Sequence, residues 1–375
     1  MLTAAWRFFS QSTPSTPSAS TPGLAFMLAT IASQGGAVEM RGSGALPNVA
    51  SVTVGSYGYF IVDNQNTLGG AASRGFASVN NNNRVNDAAP ITLAGGFLYY
   101  RARNAAGQTA ETFGTLTLGQ GQNMVREEIN GQGGDVTLSN LVRTTAPLGG
   151  GTVRFENNAG AFGSSGNNPR LFLSQLNGVA PATTNLIGGW AFINNNGSNF
   201  QFAAYDTTAG VGLKPSTMTA QGAAAFTPVA GTIYDLNAAG TATLTDSGTN
   251  AHNMAALRFS NNAAQTLAFT DGNDALYIES GGILDYNYNQ ARAIGTTTQR
   301  GYITAGSSTA PAGPKELFFH INQNTTTIQS GIVDNNGPVS LVKDMGGTLQ
   351  ISAPAGTNTY SGGTYVYGGR INVAN

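Results

Sequence analysis

The chain has 375 residues, 51 glycines, no cysteine and only 9% charged side chains, where an ordinary globular protein carries roughly 25%. Its 17 basic and 18 acidic residues give a net charge of −1. They are spread too thinly to neutralise a phosphate backbone, which argues against nucleic acid as a partner. Without cysteine there are no disulfides or thiolate metal sites, and no apolar run approaches the ~20 residues of a membrane-spanning helix.

Asparagine occurs 37 times, about twice the acidic total of 18. A stacked architecture places like beside like. A column of carboxylates repels in such a stack, whereas a column of amides bonds. At 41% hydrophobic residues with regular apolar alternation, the main body is expected to be folded.

Residues 1–33 form an irregular N-terminal segment. Residues 11–22 (QSTPSTPSASTP) are Ser/Thr/Pro-rich and read as an extended linker. The apolar run 24–32 (LAFMLATIA) has two readings, the hydrophobic region of a degenerate signal peptide or a cap on the body that follows. From residue 34 onward, strand-turn units follow one another. Residues 51–62 alternate as SVTVGSYGYFIV, and the four asparagines 80–83 mark a turn. Residues 86–98 (NDAAPITLAGGFL) lead to ETFGTLTL at 111–118. Leu116 and Leu118 are expected to return as Val136 and Leu138, with Val153 and Phe155 as the next inward pair.

Residues 186–212 hold Trp190, Phe192, Phe200, Phe202 and Tyr205, read as core filling with an exposed carbohydrate platform as the alternative. Residues 220–230 read as a wide loop. Beyond Ile233, the pairs Leu257/Phe259, Leu267/Phe269 and Leu276/Ile278 alternate with polar positions, and Gly281-Gly282 starts another strand. No helix of ten or more residues is predicted.

The last thirty residues contain one phrase twice. Gly346-Gly347-Thr348-Leu349-Gln350-Ile351 returns as Gly368-Gly369-Arg370-Ile371-Asn372-Val373, 22 residues on. A strand at 364–367 lies between the copies. A repeat of short strands and glycine turns at this period points to a solenoid. The wording resembles the autotransporter-associated β-strand repeat at Gly347, Leu349, Ile351, Asn358, Thr359, Tyr360, Ser361, Gly362, Gly363, Thr364, Val366, Gly369, Ile371 and Val373. Arg370, Tyr365 and Tyr367 depart from that pattern at outward positions. Residues 86–98, 186–212 and 336–343 also resemble phrases of such repeat proteins.

The fold expected is all-β, a single right-handed parallel β-helix over residues 34–375 with the family repeat at 346–375. A winding of ~20 residues buries three or four aliphatic side chains at about 1.5–3 kcal/mol each. Ordering its backbone costs ~1–2 kcal/mol per residue, so windings are stable only when stacked. About fifteen in one rod would span on the order of 70 Å.

The resemblance implies a non-enzymatic, exported passenger segment: a structural stalk and adhesion surface outside a bacterial cell. It further implies a glycan or a host or abiotic surface as partner, and a downstream β-barrel translocator or sorting anchor. The chain stops inside a repeat, so it reads as a fragment. The alternatives are a carbohydrate-active β-helix enzyme and a purely structural surface or matrix protein. No nucleophile elbow, phosphate loop or cofactor motif stands out, and no cofactor or metal is expected. His252 and His320 have no third ligand at zinc spacing and read as structural. Glu127 and Glu128 are adjacent on a strand and so face opposite ways. Residues 130–138 read as a turn rather than a calcium loop. Asp206, Lys214, Asp271, Asp274, Asp285 and Arg292 are the candidates by residue type for a catalytic groove.

Overall fold

The computed structural model describes residues 31–65, 81–103, 109–145, 149–197, 199–246, 248–286 and 290–374. The Ser/Thr/Pro-rich segment, residues 24–30 of the apolar run and Asn80 lie outside them, and so do the linker and signal-peptide expectations. Every regular element described is a strand.

The strands fall into two groups. In the first, Ile31–Ser33, Val52–Val54, Ile91–Leu93, Thr109–Leu118, Gly134–Arg143 and Pro169–Leu173 make sheet 1. Ala37–Met40, Tyr59–Asp63, Phe97–Arg101, Gln122–Glu128, Thr152–Asn157 and Ala191–Asn195 make the parallel part of sheet 2. The chain alternates between these sheets, and each strand pairs in parallel with the one two places later.

In the second group three sheets are visited in turn. Sheet 3 holds Thr219–Gln221, Ile233–Leu236, Ala256–Phe259, Gly282–Asp285, Lys315–Ile321, Val339–Asp344 and Thr364–Val366. Sheet 4 holds Ala225–Phe226, Gly240–Leu244, Gln265–Ala268, Arg292–Ile294, Thr325–Ile328, Thr348–Ile351 and Arg370–Val373. Sheet 5 holds Ala251–Met254, Ala275–Ile278, Tyr302–Ala305 and Gly331–Ile332. All of these ladders are parallel, and none of them joins the second group to the first among the described residues.

A hairpin stands where one uninterrupted stack was expected. Asn199–Asp206 runs antiparallel to Ala191–Asn195, and Gly212–Pro215 antiparallel to Asn199–Asp206. Asn196 (φ 54°) and Gly197 (φ 72°) both take the left-handed conformation that such a tight turn requires. The hairpin ends the first stack, and the second runs back beside it. Gln122 Oε1 accepts the Met345 N–H (3.0 Å), the Gly189 carbonyl accepts from His320 Nε2 (2.7 Å), and the Phe200 carbonyl accepts from Arg258 Nη1 (2.9 Å). As residue numbers rise on one side of the seam they fall on the other. The windings are therefore divided between two adjacent stacks, six in the first and seven in the second among the described residues, each on the order of 30 Å long.

The seam is the outward face of sheet 2 against the outward face of sheet 3. Backbones approach closely at Gly189, where an added Cβ would stand 2.3 Å from the Ser280 carbonyl oxygen and 2.8 Å from the Gly282 Cα. Phe192, Phe200 and Phe202 of the first stack pack with Ala256, Leu284 and Met345 of the second. The aromatic stretch is thus buried, as core filling requires, but partly between stacks rather than inside one.

Register departs from expectation in one region. Leu116 pairs with Leu141 and Leu118 with Arg143, while Val136 lies opposite Glu111 and Leu138 opposite Phe113. The step is 25 residues where 20 was predicted, because alternation looks the same at both offsets within a ten-residue strand. Val153 and Phe155 are inward and fully buried, but in sheet 2, opposite Asn123 and Val125. The asparagines mostly brace backbone instead of forming amide columns. Asn123, for example, accepts from the Gly95 N–H and donates to the Gly119 and Thr152 carbonyls, tying three successive windings together.

Candidate binding surface

The 22-residue repeat forms the register read from sequence. Leu349 lies opposite Ile371 and Ile351 opposite Val373. Leu349 is fully buried, whereas Val373 on the outermost strand is 76% exposed. Gly347 meets Ile321 backbone, and Gly369 (φ 67°) meets the Gly347 carbonyl so closely that no side chain fits. Asn358 Oδ1 accepts the Ile332 N–H (2.9 Å), and the Thr359 N–H returns to the Ile332 carbonyl. Ser361 binds Asp334 through its backbone N–H (2.9 Å) and its hydroxyl (2.6 Å). Gly362 passes against the backbone of Val339 and Ser340. Gly363 (φ 91°) turns the chain into Thr364–Val366, where Thr364 faces the Tyr360 hydroxyl at 2.8 Å and Val366 lies opposite Lys343. Strand pairing, packing, turns or backbone contacts account for the placement of these motif residues. Tyr365 and Tyr367 point away from their own stack, but they pack on the other one. The Tyr365 ring lies against Gly149, and the Tyr367 hydroxyl donates to the Gly149 carbonyl.

A cleft of about 560 Å³ opens along the seam, lined by Arg143, Trp190, Glu279, Lys315, Glu316 and Phe318 among others. Its charges are all engaged. Arg143 pairs with Glu316 at 2.6 Å and lies over the Phe318 ring (5.0 Å) and the Trp190 ring (5.7 Å). Glu316 Oε1 also accepts the N–H groups of Gly149 and Gly150. Lys315 donates to the Pro311, Gly313 and Asn335 carbonyls, and Glu279 accepts the Gly231 N–H. Groups committed in this way tie the two stacks to each other and to their loops.

The residues singled out by type do not converge there. Asp206 and Lys214 pair across the hairpin at 2.7 Å, and the lysine holds the Asp206 carboxyl well below the usual range. Asp285 and Arg292 pair inside the second stack at 3.2 Å with Thr326 donating to Asp285, and burial pushes Asp285 up to about 7. Asp271 and Asp274 occupy the turn before Ala275–Ile278. His320 lies in the seam, its two ring nitrogens facing Asp344 Oδ1 (2.7 Å) and the Gly189 carbonyl. Glu128 is outward on Arg101 and Arg126 (2.8 Å each), while Glu127 points inward, so the pair diverges as strand geometry demands.

Among the described residues, the second stack does not reach the outward face of the early strands of sheet 2. Tyr59 lies 4.8 Å from Phe97 and 5.7 Å from Tyr99 between ring centroids, and Arg126 sits 5.5 Å over the Tyr99 ring. All three rings are half-buried. A ladder of charges flanks them: Arg41–Glu39 (2.7 Å), Arg101–Glu39 (3.6 Å), Arg101–Glu128, Arg126–Glu128, Arg126–Glu156 (2.6 Å) and Arg154–Glu156 (2.9 Å). Most partners come from a neighbouring winding or the same stretch of chain, and Arg101–Glu39 reaches across two windings, so the ladder follows the stack. Sequence reasoning missed it because loops of unequal length space these residues irregularly. The arrangement offers aromatic faces edged by paired donors and acceptors, the chemistry that holds a sugar ring. No protein family, curated protein or solved structure matches this chain.

Proposed function

We propose that this chain is a non-enzymatic structural passenger, exported to the outside of a bacterial cell. Each stack is read as a right-handed parallel β-helix, and the aromatic and charged face of sheet 2 as its adhesion surface. The observation that carries this reading is the Tyr59–Phe97–Tyr99 group beside its ion-pair ladder, a rigid surface built from side chains of successive windings. The repeat at 346–375 supports the passenger assignment, and with it a β-barrel translocator or sorting anchor as a further part of the export route. Full engagement of the charges in the seam cleft favours binding over turnover.

The partner is a glycan or a glycan-coated surface. Binding of the purified chain to immobilised polysaccharides, read beside Phe97→Ala and Tyr99→Ala, tests the proposal. Retention of polysaccharide without release of cleaved sugar is expected, with at least about tenfold weaker retention in either variant. Sugar release by the wild type, or retention unchanged in both variants, would overturn it.

A further inference from the structure

One inward column of the second stack breaks its own rule. Along sheet 5, successive windings place His252, Leu276, Ile303 and Ile332 at the same rung. The last three are aliphatic and fully buried. His252 is buried to the same degree, at 2% exposure. A desolvated imidazole in an aliphatic column is costly unless something engages it.

What faces it is a pair of carboxylates. His252 Nε2 lies 3.3 Å from Asp274 Oδ1 and 3.8 Å from Asp246 Oδ1. One ligand atom from each residue falls within 4.8 Å of the others. Neither contact meets strict hydrogen-bond geometry, so His252 Nε2 and the fully buried Asp274 Oδ1 engage each other and Asp246 only through poorly aligned contacts. Asp274 is held in this pose by its other oxygen, which accepts the N–H groups of Thr270 (2.7 Å) and Asp271 (3.0 Å). Asp246 is exposed and opens the cluster to solvent. Two buried polar atoms therefore aim at one point, with an adjustable third ligand at its mouth.

We infer that Asp246, His252 and Asp274 form a binding site for a divalent transition-metal cation of the zinc class, with a fourth position open to water. Metal–nitrogen and metal–oxygen bonds of ~2.0–2.2 Å at tetrahedral angles separate neighbouring ligand atoms by about 3.4 Å, close to the His252–Asp274 distance. Imidazole selects zinc-like ions, whereas calcium asks for six to eight oxygens and magnesium for an octahedral oxygen shell. The ion would clamp residue 246 to Ala251–Met254, the edge strand of sheet 5. The ligands are 6 and 22 residues apart (246 to 252, then 252 to 274) because stacking, not local spacing, brings them together.

The test is titration of the chelator-treated full chain with Zn²⁺, and separately with Mg²⁺ and Ca²⁺, by calorimetry and thermal unfolding. Asp246→Asn changes only an exposed side chain, and His252→Leu completes the aliphatic column, so each variant is expected to fold. One Zn²⁺ per chain is expected, with a rise in unfolding temperature. Affinity should weaken at least about tenfold in Asp246→Asn and be lost in His252→Leu. Absence of stoichiometric Zn²⁺ binding would overturn the site, as would binding that both variants retain. A His252⁺–carboxylate cluster needing no metal would instead show as loss of stability in His252→Leu under chelator, with no zinc response in the wild type, and that too would overturn it.

Discussion

The first stack closes each winding with two strands and the second closes four of its seven described windings with three, and their interiors differ accordingly. Two facing sheets must be filled across ~10 Å, which calls for long side chains. The first stack accordingly buries Phe60, Tyr100, Phe113 and Phe155 between strands of up to ten residues. Three sides converge on a shared axis, and mainly aliphatic columns such as Leu257–Ile283–Phe319 suffice there. The contrast is one of degree, since Phe259, Phe269 and Phe319 are fully buried in the second stack and the column Val54–Leu93–Leu118 lines the first. Each stack also buries a charge. In the first stack neither oxygen of Glu127 has a partner of normal hydrogen-bond geometry, the Arg170 N–H offering only a weak contact. In the second, Lys343 sits in the Phe319 column and donates to the carbonyls of Asp344 (2.6 Å), Met345 (2.8 Å) and Gly368 (3.0 Å).

The largest effect is expected at the seam that both stacks share. Glu316 answers Arg143 with side-chain exposures of 10% and 4%, and it also accepts two backbone N–H groups. Glu316→Ala leaves a buried guanidinium and two donors uncompensated, at a cost of about 3–5 kcal/mol. Urea unfolding monitored in each stack would read this. If the seam joins two separately stable bodies, the single transition splits in two. A loss below 1 kcal/mol would mean that the pair is incidental to the packing.

Within the second stack, depth along the axis should matter more than residue type. Leu349→Ala empties a fully covered rung and should cost about 2–5 kcal/mol. Ile371→Ala, one winding outward and only partly buried, should cost about 1 kcal/mol. Equal losses in denaturant melts would contradict shared burial between successive windings.

This repeat was also the most legible part of the chain, since glycine corners and alternation fix one register and only one offset satisfies both. Strand content was readable for the same reason. The reversal was less so. Asn196-Gly197 is a strong hairpin signal, yet the aromatic alternation around it suits parallel and antiparallel strands equally. The seam was not legible at all. Gly281-Gly282 reads as a strand start and Tyr365 and Tyr367 as outward positions, and only the other stack lying alongside gives Gly282 and the two tyrosines their partners. His252 has no ligand three to five residues away, the spacing of compact motifs. In a stacked chain the relevant spacing is one winding.

Two of the buried charges, Glu127 in the first stack and Lys343 in the second, should respond to pH with opposite signs. Burial raises the Glu127 carboxyl well above 4.5, so the folded state holds that proton longer than the unfolded chain does. Its contribution to stability is therefore full below about 4.5 and declines as pH rises through the folded value. Burial lowers Lys343 from 10.5 to about 8, with Asp344 opposing, so the folded state sheds that proton first. Stability from this group rises as pH climbs from about 8 to 10.5 and is lost on the way down. Glu127→Gln should raise the unfolding temperature at pH 8 and converge on the wild type below pH 4.5. Lys343→Met should flatten the slope between pH 8 and 10.5, though it also strands three carbonyls, which lowers the whole curve. Unfolding temperatures of the two variants taken from pH 4 to 10.5 would check both signs. If Glu127→Gln instead falls below the wild type at pH 8, an ionised Glu127 has a partner in solution and the contrast between the two interiors fails.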